Sequence, residues 1–306
     1  MRIVFLEPLG LKVEQIEAAC RELKNAGHEV AIYPDRNESL DELKRRAADA
    51  EVVVESNIPL RKDFLDACPN LKMLSIAFTG LDHIDLEECQ RRGIVVKNAA
   101  GYSTEAVAEL VIALMIDLYR KVLENDTITR QCNRKGLMPG REIGGKTIGI
   151  IGMGNIGQRV AKLANAFGCK VLAWNRTPKK VEGVTFVDKG TLLKESDIVT
   201  LHIALNADTR DFITAKDFAL MKPSALMVNT ARGPVVNEQA LAEALKEGKI
   251  AGAATDVYST EPPLQPNNPL FEAPNLIMLP HIGFATEEAF VLRLGIVVRN
   301  VEEFLS

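Results

Sequence analysis

A chain of 306 residues with 47% hydrophobic and 25% charged side chains has room for a sizeable core and is of two-domain size, far from disordered or fibrous compositions. Its net charge of -4 is spread over both halves without like-charge blocks, which excludes the basic footprint of a nucleic-acid binder. Cys20, Cys68, Cys89, Cys132 and Cys169 stand far apart with no Cys-x-x-Cys pair, so reduced, mostly buried thiols are expected and no metal site.

Residues 1–8 are too short an apolar run for a signal peptide, which makes the cytoplasm the expected compartment. Residues 2–6 read as a first strand. Apolar positions at Val13, Ile16, Ala19, Cys20 and Leu23 then predict one helix over 13–26, stopped by a left-handed Gly27. Residues 52–54, 71–76 and 94–96 read as strands buried on both faces of a parallel sheet. A helix over 104–124 follows. Its most apolar part, 106–116, holds Glu109 and is far short of a bilayer span, so no membrane partner is expected. A mixed polar stretch at 125–145 leads to six further strands at 147–151, 170–174, 198–203, 225–229, 252–255 and 276–279, a number that suits a doubly wound dinucleotide fold. Residues 287–306 read as an amphipathic helix that returns to the first domain.

The sequence Gly152-Met153-Gly154-Asn155-Ile156-Gly157 lies between strand 147–151 and a helix that places Ile156, Val160, Leu163, Ala164 and Phe167 on one face. There Gly152 permits a tight turn, Gly154 lets backbone approach a pyrophosphate, and Gly157 allows close helix packing, with free N–H groups at the helix start. The second strand of an NAD site normally ends in a carboxylate for the ribose hydroxyls, yet Trp174 is followed by Asn175, Arg176 and Thr177. Asn175 does not repel a 2′-phosphate and Arg176 is able to pair with it, so NADP is expected to be accepted alongside NAD; a solvated Arg176 is the alternative.

Three later segments place a titratable or charged residue just after a strand: Asn229-Thr230-Ala231-Arg232-Gly233, Asp256-Val257-Tyr258-Ser259-Thr260-Glu261-Pro262, and Pro280-His281-Ile282-Gly283. Carboxyl ends of strands line the ligand crevice of an open α/β sheet, so Arg232, Asp256, Glu261 and His281 are expected to converge there.

With these motifs in this order, nearly the whole chain resembles the D-isomer-specific 2-hydroxyacid dehydrogenases. The resemblance implies two doubly wound α/β domains, a flavodoxin-like substrate domain (1–98 with 287–306) and a Rossmann dinucleotide-binding domain (99–286), with a substrate cleft between them. It implies that Arg232 anchors the substrate carboxylate and polarises the 2-oxo group, that His281 exchanges a proton with the carbonyl oxygen, and that Glu261 orients His281 and favours the imidazolium. Thr104, Thr230, Asp256 and Gly283 match cofactor contacts, although Thr104 equally suits a helix N-cap and Asp256 a strand-end acid. Within Ala77-Phe78-Thr79-Gly80-Leu81-Asp82-His83, the Thr79 and Gly80 N–H groups match a substrate-carboxylate site and His83 is structural.

What the resemblance predicts is hydride transfer between NAD(P)H and a small 2-oxo acid of the glyoxylate, hydroxypyruvate or pyruvate type, in a homodimer that pairs through helix 104–124. The alternatives are a phosphoglycerate dehydrogenase-like enzyme and a non-catalytic dinucleotide-sensing corepressor. Glu55-Ser56-Asn57 after strand 52–54 departs from phosphoglycerate-specific relatives, which often carry an Arg there, and Phe284 stands where a small residue is common.

Overall fold

Apolar runs that do not alternate become strands covered on both faces, and the central strands of both sheets are built that way, whereas the strand at 95–98, expected to be buried on both faces, lies at a sheet edge with Val95 exposed. The computed structural model describes residues 1–131, 138–177, 179–261 and 263–306, so Cys132 and Pro262 lie outside the described residues. The chain divides into two compact units, Met1–Ser103 with Ala285–Ser306, and Thr104–Phe284.

The first unit runs β1 (Arg2–Phe5), α1 (Val13–Ala19), α2 (Arg21–Asn25), β2 (Glu29–Ile32), α3 (Leu40–Ala47), β3 (Val52–Glu55), α4 (Lys62–Asp66), β4 (Met73–Ile76), α5 (Leu86–Arg91) and β5 (Val95–Asn98). Its parallel sheet has the order β2-β1-β3-β4-β5, the flavodoxin-like order. The helix expected over 13–26 is two helices, because Cys20 leaves helical geometry at φ -88° and ψ 9°. Gly27, at φ +84°, ends the pair as expected.

The second unit runs α6 (Thr104–Arg120), α7 (Val122–Arg130), β6 (Thr147–Ile151), α8 (Asn155–Ala166), β7 (Lys170–Trp174), β8 (Val184–Phe186), α9 (Lys189–Glu195), β9 (Ile198–Leu201), α10 (Ala215–Phe218), β10 (Leu226–Asn229), α11 (Glu238–Lys246), β11 (Gly252–Thr255) and β12 (Leu276–Met278). The order β12-β11-β10-β9-β6-β7-β8 reverses between β6 and β9, as in a Rossmann sheet. Seven strands stand where six were expected: β8 is a three-residue edge strand too short to show in a hydrophobicity pattern. The helix expected over 104–124 stops at Arg120, because Lys121 takes a left-handed conformation at φ 53° and α7 starts after it. Phe167, expected on the packed face of α8, is exposed at the helix end.

α12 (Glu287–Leu305) returns to the first unit. It buries Leu294, Val297, Val298 and Val301, and its Val297 carbonyl accepts the β4 Ser75 hydroxyl at 3.1 Å. Cys20, Cys68, Cys89 and Cys169 are buried free thiols, and burial pushes the first three up to about 11. Among the described residues no helix is long and apolar enough to cross a membrane.

Candidate active site

The turn from β6 into α8 is compressed everywhere except at one glycine. Gly152 has φ +103°, and a Cβ on it would stand 2.5 Å from the His202 carbonyl oxygen; a Cβ on Gly157 would strike the Gly152 carbonyl. At Gly154 a Cβ would meet nothing within 4 Å. α8 begins at Asn155 with no side-chain cap and no acidic residue in its first turn, so its N–H groups and dipole are available to an anion. An open backbone position under an uncapped helix start fits a dinucleotide pyrophosphate.

Beside this turn, where the strand order reverses, lies a pocket of about 360 Å³ lined by Gly154, Asn175, Arg176, Lys179 and His202 among others. Both ends of the Asn175 amide are engaged within the chain: Oδ1 accepts the Met153 N–H at 3.0 Å and Nδ2 donates to the Thr177 carbonyl at 2.6 Å. Sequence reasoning stopped at Arg176 and missed Lys179, whose ammonium lies 3.4 Å from the Met153 carbonyl oxygen. The basic run after β7 was the available signal. His202 is half-buried, and desolvation pushes its imidazole down to about 3, so it lines the pocket as a neutral ring.

β10, β11 and β12 are consecutive neighbours in the sheet, so the loops at their carboxyl ends lie side by side. After β10, the Asn229 side chain accepts the Ala231 N–H and donates to the Arg232 carbonyl, both at 3.1 Å, which fixes the turn that presents half-buried Arg232. A side chain on Gly233 would strike the Tyr258 backbone. The Tyr258 hydroxyl in turn donates to the Leu279 carbonyl at 2.8 Å, so this residue joins all three loops. Sequence reasoning did not single it out. Among the described residues, Thr230 Oγ1 is buried with no hydrogen-bond partner, as suits a group kept for a ligand.

His281 sits in the left-handed region at φ 57°, rare for a residue with a Cβ. Asp256, 1% exposed, holds it there from below: its two carboxylate oxygens accept the Ile282 and Gly283 N–H groups at 2.8 and 2.7 Å. Burial pushes the Asp256 carboxyl up, and those two N–H groups oppose the shift. His281 Nδ1 lies 3.0 Å from Glu261 Oε2, and Phe284 packs edge-on to the imidazole at 5.6 Å.

The family described as D-isomer specific 2-hydroxyacid dehydrogenase, NAD binding domain, matches residues 112–283. The chain belongs to this dehydrogenase family. It is 41% identical to a glyoxylate reductase of Thermococcus litoralis over 85% of the chain and 82% of the relative. It is 38% identical to a glycerate dehydrogenase of Methylorubrum extorquens over 100% of the chain and 96% of the relative. A solved acyclic imino acid reductase in complex with NADPH and D-Arg superposes with a TM-score of 0.89 at 33% identity, covering 100% of this chain and 97% of that one.

In this family member, Glu261 is in direct contact with His281 and Asp256 with Gly283, with Arg232 and Thr230 in the adjoining loop. Gly152, Gly154, Asn155, Ile156 and Gly157 form the turn beside the pocket that Asn175 and Arg176 line. Thr104 is the first residue of α6 and lies within the helix. Thr79 and Gly80 belong to the first unit. There the Phe78 and Thr79 carbonyls accept from the Ala99 N–H at 3.0 Å and the Asn98 amide at 2.7 Å. Among the described residues the Thr79 and Gly80 N–H groups have no acceptor in the chain.

Proposed function

We propose that this chain reduces small 2-oxo acids of the glyoxylate, hydroxypyruvate or pyruvate type to D-2-hydroxy acids, and that Arg232, Glu261 and His281 are its catalytic residues. The observation that carries the reading is the 3.0 Å contact of His281 Nδ1 with Glu261, on loops adjoining that of Arg232. The Arg232 guanidinium holds the substrate carboxylate with its planar fork and draws electron density from the 2-oxo group. With Nδ1 committed to Glu261, Nε2 delivers the proton to the carbonyl oxygen and recovers it in the oxidation direction. The nicotinamide, when bound, supplies the hydride. Gly152, Gly154, Asn155, Ile156, Gly157, Thr104, Thr230, Asp256 and Gly283 are assigned to cofactor binding, and the Thr79 and Gly80 N–H groups to the substrate carboxylate.

NADPH is the favoured cofactor. No carboxylate ends β7, Asn175 is uncharged, and Arg176 and Lys179 are exposed cations lining the same pocket, an arrangement that attracts a 2′-phosphate. An initial-rate panel of 2-oxo acids against NADPH and NADH tests activity and cofactor together. The expected result is turnover of at least one of the three substrates, with kcat/KM for NADPH about tenfold above NADH, the value of roughly one phosphate contact. The Arg176→Ala, Lys179→Ala double variant should lose that ratio. A strong NADH preference sinks the cofactor reading. Binding of NADPH or NADH without turnover of any 2-oxo acid sinks the enzyme reading in favour of a dinucleotide sensor.

A phosphorylated substrate is disfavoured. At the end of β3 the fully buried Glu55 stands in place of a cation, and nearby Arg36 is paired with Glu7 at 2.7 Å. A cytoplasmic homodimer that pairs through the segment 104–124 is the proposed assembly, with the contact at the far end of that segment. α6 spends Val107, Val111, Ile112, Leu114 and Met115 on its own unit, whereas α7 buries none of its residues and exposes Val122 and Leu123. Light scattering of the wild type should give twice the chain mass, and Val122→Glu with Leu123→Glu should halve it; a monomeric wild type dismisses the dimer.

A further inference from the structure

Glu55 ends β3 with 0% of its side chain exposed, a position where a carboxylate survives only if every oxygen is used. All are used. Its backbone carbonyl accepts the Ala77 N–H at 2.6 Å, one carboxylate oxygen accepts the Ile58 N–H at 2.6 Å, and the other lies 2.9 Å from His83 Nε2. Residues 77 and 83 are the two ends of the loop that contains Thr79 and Gly80, so a single buried residue ties down both ends. Between the ties, Asn98 and Ala99 hold the Thr79 and Phe78 carbonyls, and the Phe78 ring stands edge-on to His83 at 6.4 Å. With the Phe78 and Thr79 carbonyls held on the β5 side, the Thr79 and Gly80 N–H groups have no acceptor among the described residues.

We propose that Glu55 and His83 are positioning residues for the substrate carboxylate, acting together as a clamp that fixes the direction of the Thr79 and Gly80 N–H groups. This rests on the assignment of those two N–H groups to the substrate. Burial pushes the Glu55 carboxyl up and the His83 contact opposes it. The clamp consists of the two side-chain contacts of Glu55, to the Ile58 N–H and to His83 Nε2. Glutamine keeps both: its oxygen accepts from Ile58 and its amide donates to the imidazole.

His83→Ala removes the clamp from the partly exposed end and leaves one Glu55 oxygen to be served by water in the vacated space, while the Ile58 N–H contact stays. Two readouts decide the proposal: amide hydrogen exchange of the peptide spanning 77–83, and steady-state kinetics with the best 2-oxo acid. The expected result for His83→Ala is faster exchange in that peptide and a KM raised about tenfold, with kcat changed less than about threefold and NADPH affinity unchanged, as for a lost ground-state contact. Glu55→Gln should recover wild-type exchange and keep KM within about threefold of wild type. Unchanged exchange in His83→Ala overturns the clamp. Faster exchange with an unchanged KM overturns the link to substrate, and locates the failure in the assignment of Thr79 and Gly80.

Discussion

His281→Asn is expected to lower kcat by about a thousandfold and leave the dissociation constant for NADPH unchanged, since it removes the proton donor and no part of the dinucleotide turn. Asparagine is the informative substitution. His281 sits at φ 57°, a conformation that asparagine adopts with little strain and alanine only at a cost of about 1 kcal/mol or more. The Ile282 and Gly283 N–H groups stay on Asp256, so the backbone that carries position 281 is preserved. Glu261→Gln should then show a smaller loss, about tenfold to a hundredfold, because it leaves the imidazole oriented by a neutral acceptor but replaces a charge-assisted contact by a weaker one. Turnover of His281→Asn within tenfold of wild type is the result that removes His281 from the mechanism.

The parts of the fold legible in the sequence were those whose signal is local. The runs at 147–151, 170–174 and 252–255 are short and, Lys170 apart, uncharged, and β6, β7 and β11 coincide with them residue for residue. β8 escaped because its three residues are a partly exposed edge, and the break after Arg120 because a lysine at φ 53° carries no glycine or proline to announce it. The same distinction divides the site. The residues at 232, 261 and 281 stand out by type and by their position after strands. That Asp256 holds the peptide beyond His281, or that Tyr258 bridges to Leu279, depends on β11 and β12 being neighbours, and neither follows from spacing along the chain. The Glu55–His83 pair was hidden more completely. Its members are 28 residues apart, and a glutamate that ends an apolar strand reads as a solvent-facing charge until the sheet closes over it.

Arg232→Lys is expected to reduce kcat/KM by about a thousandfold, a loss much larger than a change of one cation for another implies by charge alone. The reason is geometric. The Asn229 side chain fixes the turn on both sides of Arg232, and the Tyr258 backbone closes the space beside Gly233, so the chain has no freedom to advance a shorter-reaching ammonium toward the substrate. Lysine supplies a point charge without the paired donors that grip a carboxylate and a carbonyl oxygen in one plane. If the fork is what matters, Arg232→Ala should be rescued in part by guanidinium ion added to the assay, and not by ammonium at equal ionic strength. Equal rescue by both ions reduces Arg232 to a source of positive potential, and an Arg232→Lys enzyme within tenfold of wild type removes it from the reacting carboxylate altogether.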